Sequence, residues 1–234
     1  MSGAGGHVAA LHRYPVKSLA GEQVEQLDCD ERGFVGDRLW SVRTDAGKIG
    51  SGKNTRRFAA VDGLLLVRAR VRSGGVELAF PDGRCCDVDD DVAAQWLSAH
   101  SGEPLTLARE SDVSHFDDGP VSMLGLASVA ALSAEVGADI DPSRFRANVL
   151  VEGTPALAED DLVGQRVAIG TAVFEVTMRS TRCVMIDMAT ADLPEQHGNL
   201  LAVGRMNETC LGVIARVVQP GRVRVGDRVQ PLPS

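Results

Sequence analysis

The sequence has no Cys-x-x-Cys pair. Its five cysteines, Cys29, Cys85, Cys86, Cys183 and Cys210, are odd in number and irregular in spacing, and two are adjacent. That pattern excludes a disulfide framework and suggests neither a zinc ribbon nor an iron–sulfur module. It fits a reducing, cytoplasmic compartment. Positive charge is also short: 24 basic residues face 32 acidic ones, for a formal charge of −8. A nucleic-acid partner held by a general positive field is therefore not expected, although a basic pocket inside an acidic protein is compatible with the total. No apolar run approaches the roughly 20 residues that cross a bilayer, so no membrane partner is expected. Residues 1–6 are small and Gly-rich and lack the basic segment and apolar core of a signal peptide. No repeat recurs at a solenoid period. Aromatics are scarce at 4%, while Val, Gly and Arg are frequent.

What is present describes an ordinary globular chain. Its 234 residues suit one large domain or two small ones, with 44% apolar and 24% charged residues. Short strands with turn signals every 8–12 residues suggest a barrel or sandwich. In the first half, strands are expected at 7–14 (with Val8, Ala10 and His12 on one side), 22–28, 39–43, 61–71, 75–80, 84–88 and 104–108. Residues 89–101 change to helical spacing behind acidic residues that favour a helix N-terminus. Residues 51–57 are a polar, basic loop that reads as solvated surface. Residues 110–119 read as an acidic linker, because four consecutive residues such as His115-Phe116-Asp117-Asp118 rarely converge on one metal ion. In the second half, a helix at 128–136 stops at Gly137, and Asp141-Pro142 starts a helical turn. A strand follows Arg146, 163–170 and 172–178 form a hairpin, 193–207 contains a helix, and strands at 210–218 and 223–229 close the chain. The fold class is mainly β (α+β).

Three motifs place a cation beside a turn: Tyr14-Pro15-Val16-Lys17-Ser18, Gly36-Asp37-Arg38-Leu39-Trp40 and Phe145-Arg146-Ala147-Asn148. Junctions of this kind aim binding groups from a rigid scaffold, and Lys and Arg there suit a phosphate. A fourth stretch, Ser180-Thr181-Arg182-Cys183, sets a cysteine among hydroxyls and arginine. Cationic neighbours favour the thiolate form of a cysteine, which is both a nucleophile and a soft metal ligand. Taken singly, each basic residue reads as solvated and each cysteine as a small buried hydrophobe. Cys210, in an apolar strand-like run, keeps that second reading.

Taken in order, the motifs resemble a known family. Tyr14 to Ser18 and Gly33-Phe34-Val35-Gly36-Asp37-Arg38-Leu39-Trp40 resemble the MOSC N-terminal β-barrel domain, over 7–110. Phe145 to Val151, Arg182-Cys183, Cys210-Leu211-Gly212-Val213 and Pro220-Gly221-Arg222-Val223-Arg224-Val225-Gly226-Asp227 resemble the MOSC domain, the molybdenum-cofactor sulfurase C-terminal domain, over 120–232. The resemblance implies a MOSC-type β-barrel, a smaller N-terminal β-barrel-like domain and a few short helices. It implies molybdenum cofactor (Mo-molybdopterin), with Cys183 as catalytic residue and molybdenum ligand. By the same resemblance Lys17, Ser18, Arg38 and Arg146 hold the phosphate and pterin, and Asn148, Thr181 and Arg182 contact the cofactor. The implied reaction, like that of the amidoxime-reducing members, is two-electron reduction of a small N-hydroxylated substrate, N–OH to N–H plus water. Electrons are expected from a separate electron-transfer protein, since the chain reaches Ser234 with no cysteine cluster. Two alternatives stay open: a persulfide sulfur carrier on Cys183, and a non-catalytic cofactor-binding protein. After Cys183 the chain runs Val184-Met185-Ile186-Asp187, where reductase relatives often continue with two threonines and Asp-Pro.

Overall fold

The computed structural model describes residues 5–72 and 74–233; the first four residues of the Gly-rich start, 1–4, lie outside them. The fold is mainly β, with three α-helices among the described residues. Valine-rich segments with alternating burial supply an eight-stranded sheet. Its order is Val229–Pro231, Arg166–Ile169, Ala172–Thr181, Cys210–Gln219, Val121–Gly125, Val149–Glu152, His7–Arg13, Glu22–Val24. Within it only Val121–Gly125 and Val149–Glu152 run parallel. One face packs against a three-stranded sheet of Gly221–Arg224, Gln26–Asp30 and Gly33–Phe34. Phe34 and Phe174 meet in that core with ring centroids 5.9 Å apart, both wholly buried.

A second apolar core combines Leu124, Leu132, Phe145, Leu150 and Leu211 with Ala202 and Val203. It packs helices α2 (Leu126–Val136) and α3 (Asn199–Asn207) against the sheet. A third spans residues 16–105 under helix α1 (Asp91–Ser101). Val16, Val42 and Leu105 reach it from a five-stranded sheet of Leu105–Arg109, Trp40–Thr44, Ile49–Ser51 and Phe58–Ala60, in which Val16–Lys17 pairs parallel to Trp40–Thr44. Helices α1 and α2 both end on a left-handed glycine, Gly102 or Gly137, whose missing side chain makes that conformation accessible. No helix among the described residues is long and apolar enough to cross a membrane.

Three expectations are corrected. The first strand does not line up Val8, Ala10 and His12. A bulge between Val8 and Ala10 adds a residue, so Val8 and Leu11 enter the sheet core. Ala10 packs against the helix-side core instead; a one-residue shift reverses every side chain beyond it. Residues 22–28 form two strands: Glu22–Val24 stays with the first strand, and Gln26–Asp30 crosses to Gly221–Arg224. Residues 61–71 are interrupted at Asp62-Gly63, where Leu64–Leu66 form a single 3-10 turn before strand Arg68–Arg72.

The core assignment makes a stability prediction. Phe174→Ala, which empties a fully buried site, lowers unfolding free energy by about 3–5 kcal/mol in urea denaturation. Leu201→Ala, on the exposed face of α3 at 65% exposure, changes it by less than about 0.5 kcal/mol. Equal losses would contradict this placement.

Candidate functional site

Three of the turns singled out above hold a non-glycine residue in the left-handed region: Ser18 (φ 68°), Arg38 (φ 48°) and Arg146 (φ 53°). That conformation costs an L-residue roughly 1–2 kcal/mol, so surrounding structure must impose it. At Arg38 the backbone N–H is taken by the Tyr14 carbonyl at 2.7 Å, and at Arg146 by the Ser143 carbonyl at 3.0 Å. The wholly buried Asp37 carboxylate joins the first two motifs. It accepts the Tyr14 backbone N–H at 2.7 Å and Arg38 Nη1 at 2.5 Å.

All three residues line one cleft, of about 830 Å³ with its open mouth included. Lys17, Thr181, Arg182 and Cys183 line it too. Seven of the eight residues named from sequence therefore converge. Asn148 is the exception: it is 1% exposed and stands behind the cleft wall. Its Oδ1 accepts Arg38 Nη1 at 3.1 Å and Ser122 Oγ at 2.9 Å, and its Nδ2 donates to the His12 carbonyl at 3.2 Å. Its role in this geometry is to aim Arg38. The sole tyrosine, Tyr14, does similar work: the guanidinium carbons of Arg38 and Arg146 lie 4.6 and 4.3 Å from its ring centroid. Burial pushes the Tyr14 hydroxyl pKa up, more than the neighbouring arginines pull it down.

The charge balance of the cleft is unusual. Six basic side chains line it, against the carboxylates of Asp117 and Asp118. Among the described residues, three arginines make side-chain hydrogen bonds to backbone carbonyls alone. Arg146 Nη1 donates to Leu19 at 2.7 Å. Arg182 donates through Nε to Leu211 at 2.7 Å and through Nη1 to Phe145 at 2.9 Å, with Nη2 also on Leu211. Arg144, 4% exposed, donates to Met188 at 3.2 Å and Pro194 at 2.6 Å, and its Nε has no partner. Burial depresses all three, Arg146 and Arg182 to about 10. Acidic groups pull the other way from a distance, Asp141 and Asp187 on Arg144 and Asp37 and Asp117 on Arg146, but burial outweighs them, and a buried cation without a contacting anion is destabilised until one arrives.

Cys183 is partly exposed at the cleft surface, just past strand Ala172–Thr181, and it begins the 3-10 turn Val184–Ile186. Cys210 is buried, with Sγ 3.9 Å from Thr181 Oγ1, and does not line the cleft. Cys29, Cys85 and Cys86 lie elsewhere. The apolar part of the wall comes from Phe116, Phe145, Met185, Ile186 and Ile214.

Sequence reasoning missed Lys53, Arg144 and Asp117. Residues 51–57 read as solvated surface, yet Lys53 turns into the cleft and Arg57 donates to the Phe116 carbonyl at 2.8 Å. Residues 110–119 read as a linker, yet His115 is fully buried. Its Nε2 lies 3.1 Å from both Ser41 Oγ and Arg43 Nη2, and its Nδ1 lies 3.1 Å from the Arg38 carbonyl. The ring is a peg that pins this segment over the cleft. An available signal was composition: a histidine and a phenylalanine side by side in an acidic run suggest an anchored segment.

The MOSC N-terminal beta barrel domain family matches residues 5–89, and the MOSC domain family matches residues 98–230. The chain belongs to the MOSC family. Among MOSC relatives it is similar to mitochondrial amidoxime-reducing component 1 of Mus musculus, at 25% identity over 96% of this chain and 82% of that protein. It is also similar to molybdenum cofactor sulfurase of Caenorhabditis elegans, at 24% identity over 76% of this chain, which spans only 28% of that protein. Among solved structures, the YuaD protein of Bacillus subtilis shares the MOSC fold at a TM-score of 0.54 and 17% identity, over 96% of this chain and 94% of that one.

Lys17 gives this MOSC site a pH signature. Burial lowers its pKa from 10.5 to about 8, with Asp117 pulling the other way. The folded value lies below the unfolded one. Between about pH 8 and 10.5 the unfolded chain therefore holds the extra proton, and stability rises with pH. In urea denaturation of ligand-free protein, the destabilisation caused by Lys17→Met grows across that window by up to about 3 kcal/mol. A pH-independent difference would contradict a buried Lys17.

Proposed function

We propose that this chain binds molybdenum cofactor, Mo-molybdopterin, in the cation-lined cleft and reduces small N-hydroxylated compounds with electrons from a separate electron-transfer protein. The observation that carries the reading is the set of three arginines satisfied only by carbonyls beside an accessible thiol. The residues present suit such a group. Arg144 Nε is a buried donor with no acceptor, and Arg146 and Arg182 offer further guanidinium edges to phosphate or pterin. Lys17 adds a point charge, Ser18 and Thr181 add hydroxyls, and Cys183 offers the soft thiolate ligand that molybdenum accepts. The name of the molybdenum cofactor sulfurase relative supports the cofactor, and that of the amidoxime-reducing relative supports the reaction.

When bound, the cofactor supplies the two-electron redox chemistry that takes N–OH to N–H and water. The chain's own contribution is positional. Asn148, Asp37 and Tyr14 fix Arg38 and Arg146, which would hold the anionic tail. Cys183, two residues past the end of a ten-residue strand and at the start of a 3-10 turn, would hold the metal. Met185, Ile186 and Phe116 give that space a wall without hydrogen-bond donors on their side chains, which limits water around the substrate.

The test is metal and pterin analysis of protein made in a cofactor-competent host. Wild type carries both. Cys183→Ala loses molybdenum and all reduction of N-hydroxylated compounds, while Cys210→Ala keeps them. Equal molybdenum in wild type and Cys183→Ala would remove Cys183 as the ligand. Cys183 carrying one extra sulfur by mass spectrometry, with no pterin, would favour the sulfur-carrier reading that the sulfurase relatives suggest.

A further inference from the structure

Asp117 stands where the cleft's anion belongs. Its Oδ2 accepts Lys17 Nζ at 2.7 Å, and its Oδ1 lies 3.3 Å from Lys53 Nζ. Both ammoniums also sit over the Phe58 ring, at 4.8 and 5.0 Å. The two ends of the pair are unequally exposed: the Lys17 side chain is 5% exposed and that of Asp117 is 42%. A half-solvated carboxylate loses little by returning to water. A buried ammonium left without a partner loses much, so it needs another anion as soon as Asp117 departs.

The backbone is built for such a departure. Upstream of Asp117 the segment is pinned by the His115 ring and by the Phe116 carbonyl, which accepts Arg57, while the Phe116 ring lies 4.4 Å from the Arg32 guanidinium. Downstream, Val121 starts a wholly buried strand. Between these fixed points, residues 117–119 make no backbone hydrogen bond among the described residues. Asp117 is thus held by its side chain alone.

We propose that Asp117 is an internal counter-ion, displaced when a phosphate-bearing ligand takes over Lys17 and Lys53, with residues 117–119 swinging outward. This rests on the anion-binding reading of the cleft, and on no particular cofactor. A residue that merely aims Lys17 at its ligand would give the opposite sign on substitution, so the two roles separate cleanly.

The experiment is calorimetric titration of cofactor-free, full-length protein with inorganic pyrophosphate. Asp117→Asn keeps the shape and removes the competing charge. It is expected to bind pyrophosphate about tenfold tighter than wild type, the size of one modest ion pair. Asp118→Asn removes a neighbouring charge with no lysine partner among the described residues, and is expected to change affinity less than about twofold. In a Lys17→Met background most of the gain from Asp117→Asn disappears, as coupling between the two side chains requires. If wild type binds and Asp117→Asn binds equally or more weakly, the displacement role is overturned and the anion site stands. If wild type and Asp117→Asn, each folded by circular dichroism, both fail to bind pyrophosphate, the anion site is overturned and the counter-ion role falls with it.

Discussion

Guanidinium groups hydrogen-bonded to carbonyl oxygens, with no carboxylate in ion-pair contact among the described residues, are the constraint around which this molecule is arranged. Arg144, Arg146 and Arg182 approach the cleft from a short helical turn and from the end of the longest sheet pairing, and each is gripped by backbone of another segment. Carbonyl dipoles satisfy hydrogen-bonding geometry but leave the net charge in place. A fully paired arrangement would be electrostatically quieter and would have no use for an anion. In a chain of net charge −8, three arginines in one place with no ion-pair partner among the described residues are a local arrangement that the total charge conceals.

Much of the fold can be understood as support for that arrangement. The first strand leaves the first half of the chain and joins the sheet of the second, beside Val149–Glu152. This brings Tyr14 and Lys17 against Arg146, more than a hundred residues away in sequence. Three strained turns at Ser18, Arg38 and Arg146 then direct neighbouring side chains to one point. Ordinary core packing of Phe34, Phe174 and the surrounding valines stabilises the sheets that hold those turns in place. Asp37 and Asn148, both buried, couple the turns to each other through Arg38.

The strand-dominated character of the chain was legible from its valine-rich, turn-punctuated runs, and most of the site was legible from four short motifs. Lys17, Ser18, Arg38, Arg146, Thr181, Arg182 and Cys183 all reach one cleft. Asn148 was found by its neighbourhood to Arg146, but its side chain turns to the protein's interior, a distinction that depends on strand register. The bulge after Val8 was illegible for the same reason: nothing in His7 to Arg13 marks where an extra residue is absorbed. Arg144 looked like the start of a helical turn, because its importance lies in the carbonyls of Met188 and Pro194, which are remote in sequence. Asp117 was hidden most thoroughly. A polar acidic run reads as a solvated linker, and only tertiary contact reveals that His115 anchors it and that a buried lysine takes its carboxylate.

Cys183 and the arginines that hydrogen-bond only to carbonyls share one cleft. The most direct measurement is anomalous diffraction at the molybdenum edge from crystals of protein made in a cofactor-competent host. The predicted result is a single strong peak at bonding distance from Cys183 Sγ, with density for a phosphate against the guanidinium groups of the cleft. A peak away from Cys183, or a fully occupied cofactor that leaves Arg144, Arg146 and Arg182 with carbonyl partners alone, would contradict it.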